Sequence, residues 1–138
     1  MVLCAVCAAV SACTVRDAVG PGAVAPVAGT WQYSSVQVAP SPAQTDGTLT
    51  LAVASDGSIS GTAAVVERVA GQADRTLAGT VSGQSLDTGT VEFTLTLASV
   101  GRDHVAVLHA DTLSGSWVVS AGAAAGTSGR FTAVRTGS

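Results

Sequence analysis

The stretch Thr90-Val91-Glu92-Phe93-Thr94-Leu95-Thr96-Leu97 alternates without a break between polar and apolar residues. Period two puts Val91, Phe93, Leu95 and Leu97 on one face and Thr90, Glu92, Thr94 and Thr96 on the other, as in a strand with one buried side. Thr48 to Val53 repeats the pattern, with Leu49, Leu51 and Val53 against Thr48, Thr50 and Ala52. Just beyond it stands Ser55-Asp56-Gly57. Asp-Gly between alternating segments signals a hairpin, because both turn residues are expected to take positive φ. Further breaks fall at Gly71 to Asp74, Gly83 to Gly89, Gly101 to Asp103, Ala110-Asp111 and Ala121 to Gly126. Between them lie eight strands, near 30–38, 47–54, 58–67, 75–82, 90–98, 104–109, 112–120 and 129–136.

An internal repeat supports this count. Val27-Ala28-Gly29-Thr30-Trp31, Ile59-Ser60-Gly61-Thr62-Ala63, Leu77-Ala78-Gly79-Thr80-Val81 and Leu113-Ser114-Gly115-Ser116-Trp117 share one form: apolar, small, Gly, hydroxyl, apolar. Ser128-Gly129-Arg130-Phe131 is a degenerate copy. In each copy the Gly shares the apolar face, which lets a strand coil sharply, so a meander of short strands can close. The expected fold is all-β: a small antiparallel up-and-down barrel of eight strands. Membrane-spanning strands need about 9–11 residues and aromatic girdles. With only Trp31, Tyr33, Phe93, Trp117 and Phe131 available, the apolar face is expected inside and the hydroxyl face outside.

Composition narrows the function. The 138 residues carry a net charge of -3, and all six basic residues are arginines scattered along the chain, without the clustered positive footprint that nucleic acid requires. The length suits one barrel domain, over 29–138, that needs no disulfide.

Ahead of it, Val2 to Ala12 is an apolar run too short to cross a bilayer but suited to a signal-peptide core. It ends in Val10-Ser11-Ala12-Cys13, which resembles the bacterial lipobox. That resemblance implies cleavage after residue 12, lipidation of Cys13 and attachment to a membrane through the lipid. The implied location is extracytoplasmic, and Thr14, standing where Asp marks inner-membrane retention, leaves the periplasmic face of the outer membrane open. The pattern departs in one respect, since no basic residue precedes the apolar run. Residues 13–28, with Gly20-Pro21-Gly22 and Pro26, have neither period and are expected to form a flexible tether. Cys4-x-x-Cys7 has redox spacing but lies inside the segment expected to be removed. Gly20-x-Gly22-x-x-Ala25 has no strand before it and no helix pattern after it, so it implies no dinucleotide cofactor.

Ala28-Gly29-Thr30-Trp31, followed by Ala54-Ser55-Asp56-Gly57-Ser58-Ile59-Ser60-Gly61-Thr62, resembles the calycins in order and spacing, and among them the avidin and streptavidin family. Thr76-Leu77-Ala78-Gly79 and Leu113-Ser114-Gly115 continue the likeness more loosely. The resemblance implies a barrel but not biotin binding: Ala63 stands where that family places a ligand-bonding Tyr, and the middle strands lack its pocket tryptophans. It also implies that a basic side chain of the last strand stacks on Trp31 to close one end, and Arg135 has the right parity.

Catalytic chemistry finds little support. His104 and His109, five apart on one strand, face opposite sides and cannot share a metal. No Ser, Thr or Cys sits in a nucleophile elbow and no carboxylate pair suggests a glycosidase, so an enzyme, a cofactor and a metal site are not expected. Two functions fit such a barrel. One is an envelope interaction or inhibitor module working through its outer surface; the other is a binder of a small apolar ligand at the barrel mouth, with room supplied by inward Ala63, Gly79 and Gly115. The scarcity of aromatic residues favours the first. Trp117 is the aromatic to test for ligand contact, against a plain role in core packing.

Overall fold

The computed structural model describes residues 26–86 and 89–137. Eight antiparallel strands follow one another as a meander: β1 (Gly29–Ala39), β2 (Ala43–Val53), β3 (Ser58–Arg68), β4 (Arg75–Ser85), β5 (Thr90–Leu97), β6 (Val100–His109), β7 (Thr112–Val118) and β8 (Ser128–Gly137). Each pairs with the next, and β8 pairs with β1 to close the barrel, with Trp31 opposite Arg135, Tyr33 opposite Ala133 and Ser35 opposite Phe131. Closure leaves no strand edge unpaired.

The two faces fall as period two dictates. Trp31, Tyr33, Leu49, Leu51, Val81, Val91, Phe93, Leu95, Leu97, Leu113 and Phe131 fill the interior. The hydroxyl-rich face is outside. Glycine decides how tightly the wall curves: a Cβ on Gly115 would stand 1.9 Å from the Val105 carbonyl oxygen, and one on Gly79 would stand 2.1 Å from that of Thr96. Neighbouring strands therefore press into the room expected beside these glycines. A Leu97 methyl lies 2.8 Å from the Gly79 Cβ position and a Leu51 methyl 3.1 Å from that of Gly61, so the small inward residues are packed over and leave no hollow there.

Other expectations need correction. Only Gly57 of the Ser55-Asp56-Gly57 turn has positive φ, 87°. The Gly57 N–H bonds the Ala54 carbonyl at 2.9 Å, while Asp56 Oδ1 accepts from the Ser58 N–H and hydroxyl at 2.9 and 2.7 Å. This is a three-residue loop with a glycine bulge, in which Asp56 acts through its side chain and needs no left-handed backbone. Gly101 to Asp103, expected as a break, belongs to β6, and the β5–β6 turn is the pair Ala98-Ser99, with φ of 49° and 67°. Strand β2 starts at Ala43, running through Asp46-Gly47. Val27, assigned to the tether, is fully buried in the core. Residues 13–25 of that tether, with Cys13 among them, and the signal segment lie outside the described residues.

Candidate functional site

The two ends of the barrel differ. At the end where β1 begins, Trp31 is fully buried and its Nε1–H donates to the Val27 carbonyl at 2.9 Å. The Arg135 guanidinium lies 4.4 Å from the centre of the Trp31 ring. It also donates to the carbonyls of Ala28 and Pro26, and its Nε donates to Asp111 Oδ1 at 3.0 Å. Aromatic ring, guanidinium and incoming chain together stopper this end.

Midway along the axis the filling becomes aromatic and polar. His104, inward on β6, stacks on Phe93 at 4.5 Å between ring centres and meets Phe131 edge-on at 4.7 Å. Its Nδ1 lies 2.8 Å from the Arg102 carbonyl, which can only accept, so Nδ1 carries the proton. The bare Nε2 accepts the Tyr33 hydroxyl at 2.9 Å. Burial disfavours the imidazolium and lowers the His104 pKa to about 4, the Arg102 charge adding to the effect against the opposing Arg102 carbonyl and Asp103. Burial likewise lifts Tyr33 to about 12, against the opposing pull of Ser35 and Arg102. Both groups are neutral at pH 7. His109 faces outward and is exposed.

At the opposite end the interior opens. A cleft of about 290 Å³ enters between the β3–β4 and β5–β6 ends and the segment after β7, walled by Leu77, Leu97, Val100, Val119 and Ala124. Gln37, Glu67, Arg75, Arg102 and Thr127 supply its polar atoms. Arg102 is its pivot. Its side chain is 9% exposed; it bonds Glu67 Oε2 at 2.7 Å and Thr45 Oγ1 at 3.3 Å, and lies 4.8 Å from the centre of the Trp117 ring. Arg75 reaches the other oxygen of Glu67 at 3.2 Å. Trp117 is buried, its ring backed by Gly129, where a Cβ would stand 2.6 Å from Cε2 and Cζ2. Among the described residues its Nε1 finds no hydrogen-bond partner.

The structure thus places Trp31 and Arg135 together at the stoppered end and Trp117 below the open one, under Arg102 rather than facing the cleft. Sequence reasoning missed Arg102 and Glu67. Parity carried the signal for both: Glu67 continues the inward series Ile59, Gly61, Ala63 and Val65, and Arg102 that of Leu108, Ala106 and His104. Arg102 was hidden because Gly101 to Asp103 reads as a turn. Among the described residues no group of three or more His, Cys, Asp or Glu could hold a metal, and no helix is long and apolar enough to cross a membrane.

No family model and no curated protein matches the sequence. Solved structures do share the fold. A redesigned β-barrel, mFAP1, bound to DFHBI is 15% identical, with a TM-score of 0.64 over 79% of this chain and 94% of its own. EF1p2_mFAP2b bound to DFHBI is 14% identical, with a TM-score of 0.64 over 80% of this chain and 94% of its own. At such identity the likeness is one of fold.

Proposed function

We propose that this barrel binds a small, largely apolar molecule in the cleft at its open end, and that it is a binder rather than an enzyme. The observation that carries this is the buried Arg102–Glu67 pair on the floor of an apolar-walled cleft. A buried ion pair is a poor way to stabilise a barrel, because desolvation offsets much of its attraction and apolar side chains would fill the space as well. Apolar walls with a few convergent polar groups are the usual make-up of a small-molecule site. The ligand occupies the mouth, since the interior below is already filled. The fold neighbours bound to DFHBI support the capacity of such barrels to hold a ligand. The lipobox-like Val10 to Cys13 supports presentation of the barrel outside the cytoplasm on a membrane lipid; the avidin-like opening of β1 and the second hairpin supports kinship with the calycins. The test is a screen of apolar fluorescent probes against the protein and its Ala124→Trp variant, which fills the cleft. Probe binding that the variant abolishes is expected, and binding that the variant leaves intact would refute the site.

A second function, an interaction or inhibitor module working through the outer wall, is supported by Val36, Val38, Val105, Val107, Val118 and Val134, all exposed on β1 and β6 to β8. They are interleaved with polar residues, Val105 lying in one row with Ser116, Arg130 and Val36. That makes a broken apolar surface, less suited to a tight contact than a continuous patch. Val36→Asp with Val105→Asp, which leaves the mouth untouched, should abolish partner capture if this wall is used.

A further inference from the structure

We infer that the molecule bound in the mouth carries a single negative charge with acceptor oxygens, such as a carboxylate, seated between Arg75 and Arg102. This rests on the mouth being a binding site and adds the chemistry of the ligand's polar end. Two independent features point to it. The first is charge: the described residues of the cleft include two guanidinium groups and one carboxylate, Glu67, which faces both. The second is a surplus of donors. The bonds from Arg102 to Thr45 and Glu67 do not exhaust its five N–H groups, and an arginine has no acceptor to offer in return. Arg75 bonds Glu67 through one nitrogen and is otherwise half exposed at the rim. A group that brings oxygens and one negative charge answers both features; a neutral alcohol answers neither fully, and an ammonium opposes both.

The neighbouring rim does not cancel this. Arg68 is held by Asp46 at 2.7 Å and by Asp74 at 3.4 Å, and none of these three residues lines the cleft. The apolar walls then receive the body of the molecule, with its anionic end on the Arg floor.

The test uses three compounds sharing one ring system: 1-naphthoate, 1-naphthamide and 1-naphthylmethylammonium, titrated calorimetrically into the protein at low and high salt. The expected order is anion, neutral, cation, with the anion about tenfold tighter than the amide and the advantage shrinking in salt. Arg75→Gln, at an exposed side chain whose loss leaves the Arg102–Glu67 pair in place, should remove most of that advantage, weakening the anion far more than the amide. Equal binding of anion and amide, or an unchanged preference in Arg75→Gln, would overturn the charge assignment while the mouth remained a site. Failure of all three compounds to bind at millimolar concentration would overturn the mouth itself, and the charge assignment with it.

Discussion

Acidification from pH 7 to pH 5 should cost this barrel about 2 kcal/mol, nearly all of it through His104. The imidazole is buried against Phe93 and Phe131, with its nitrogens committed to the Arg102 carbonyl and the Tyr33 hydroxyl. A proton on Nε2 would meet the hydroxyl that now donates to it, at a side chain buried from solvent and close to the Arg102 charge. The folded chain therefore holds His104 near pKa 4, against 6.5 in the unfolded chain. Because the folded value is the lower one, the stabilisation is complete above about pH 6.5 and is lost as pH falls toward 4. A shift of about 2.5 units at 1.36 kcal/mol per unit gives about 3.4 kcal/mol in all, of which about 2 kcal/mol has gone by pH 5. Asp56 and Asp103 are held below their usual value of 3.8 by hydrogen bonds, to Ser58 and to Thr94 and Ser120 respectively, so their contributions are lost only at lower pH. The assay is equilibrium urea unfolding at pH 7, 6 and 5 for the protein and for His104→Gln, whose amide can both accept and donate but does not titrate. A steep pH dependence in the first and a flat one in the second is expected. Equal slopes, or a His104 ring resonance titrating near 6.5, would refute the buried neutral imidazole.

Tyr33 predicts the mirror effect in alkali. Its folded pKa of about 12 lies above the ordinary 10, so the stability it contributes is intact below pH 10 and is lost as pH rises through 12. As the only tyrosine of the chain, its phenolate absorbance should appear with the unfolding transition rather than near pH 10. The Ala98-Ser99 turn holds two side-chain-bearing residues in left-handed backbone, so Ala98→Asn with Ser99→Gly should stabilise the barrel by about 1–2 kcal/mol, measurable by chemical denaturation. Gly115→Ala should cost about 3 kcal/mol, since its Cβ meets the Val105 carbonyl within 1.9 Å and the β6–β7 pairing must part to admit it; a variant as stable as the parent would show that the wall is looser than described.

The legible part of this protein was its periodicity. In β5 the apolar residues all point inward and the Thr and Glu residues all point away, because side-chain direction in a strand follows from backbone geometry alone. The open end was harder to read. Arg102 sits between Gly101 and Asp103, two residues common in turns, and local chemistry there favours a break. What overrides it is pairing with β5, whose register sets Leu95 opposite Arg102 and Leu97 opposite Val100 and so carries β6 through Gly101. Glu67 at the end of β3 is likewise an ordinary strand-terminal charge until the meander brings Arg102 across the barrel to meet it.

Sequence alone thus determined the class of fold, the number of strands and which face of each is buried, since these depend on spacing along the chain. Tertiary structure decided where the interior opens, whether small inward residues leave a hollow, and which charges share a cleft. Those depend on contacts between residues far apart in sequence, such as Glu67 and Arg102, whose meeting is set by strand register and curvature. The inward glycines show the divide most sharply. Their face was readable from parity, but that neighbouring strands would close into the space beside them is a property of the packed wall.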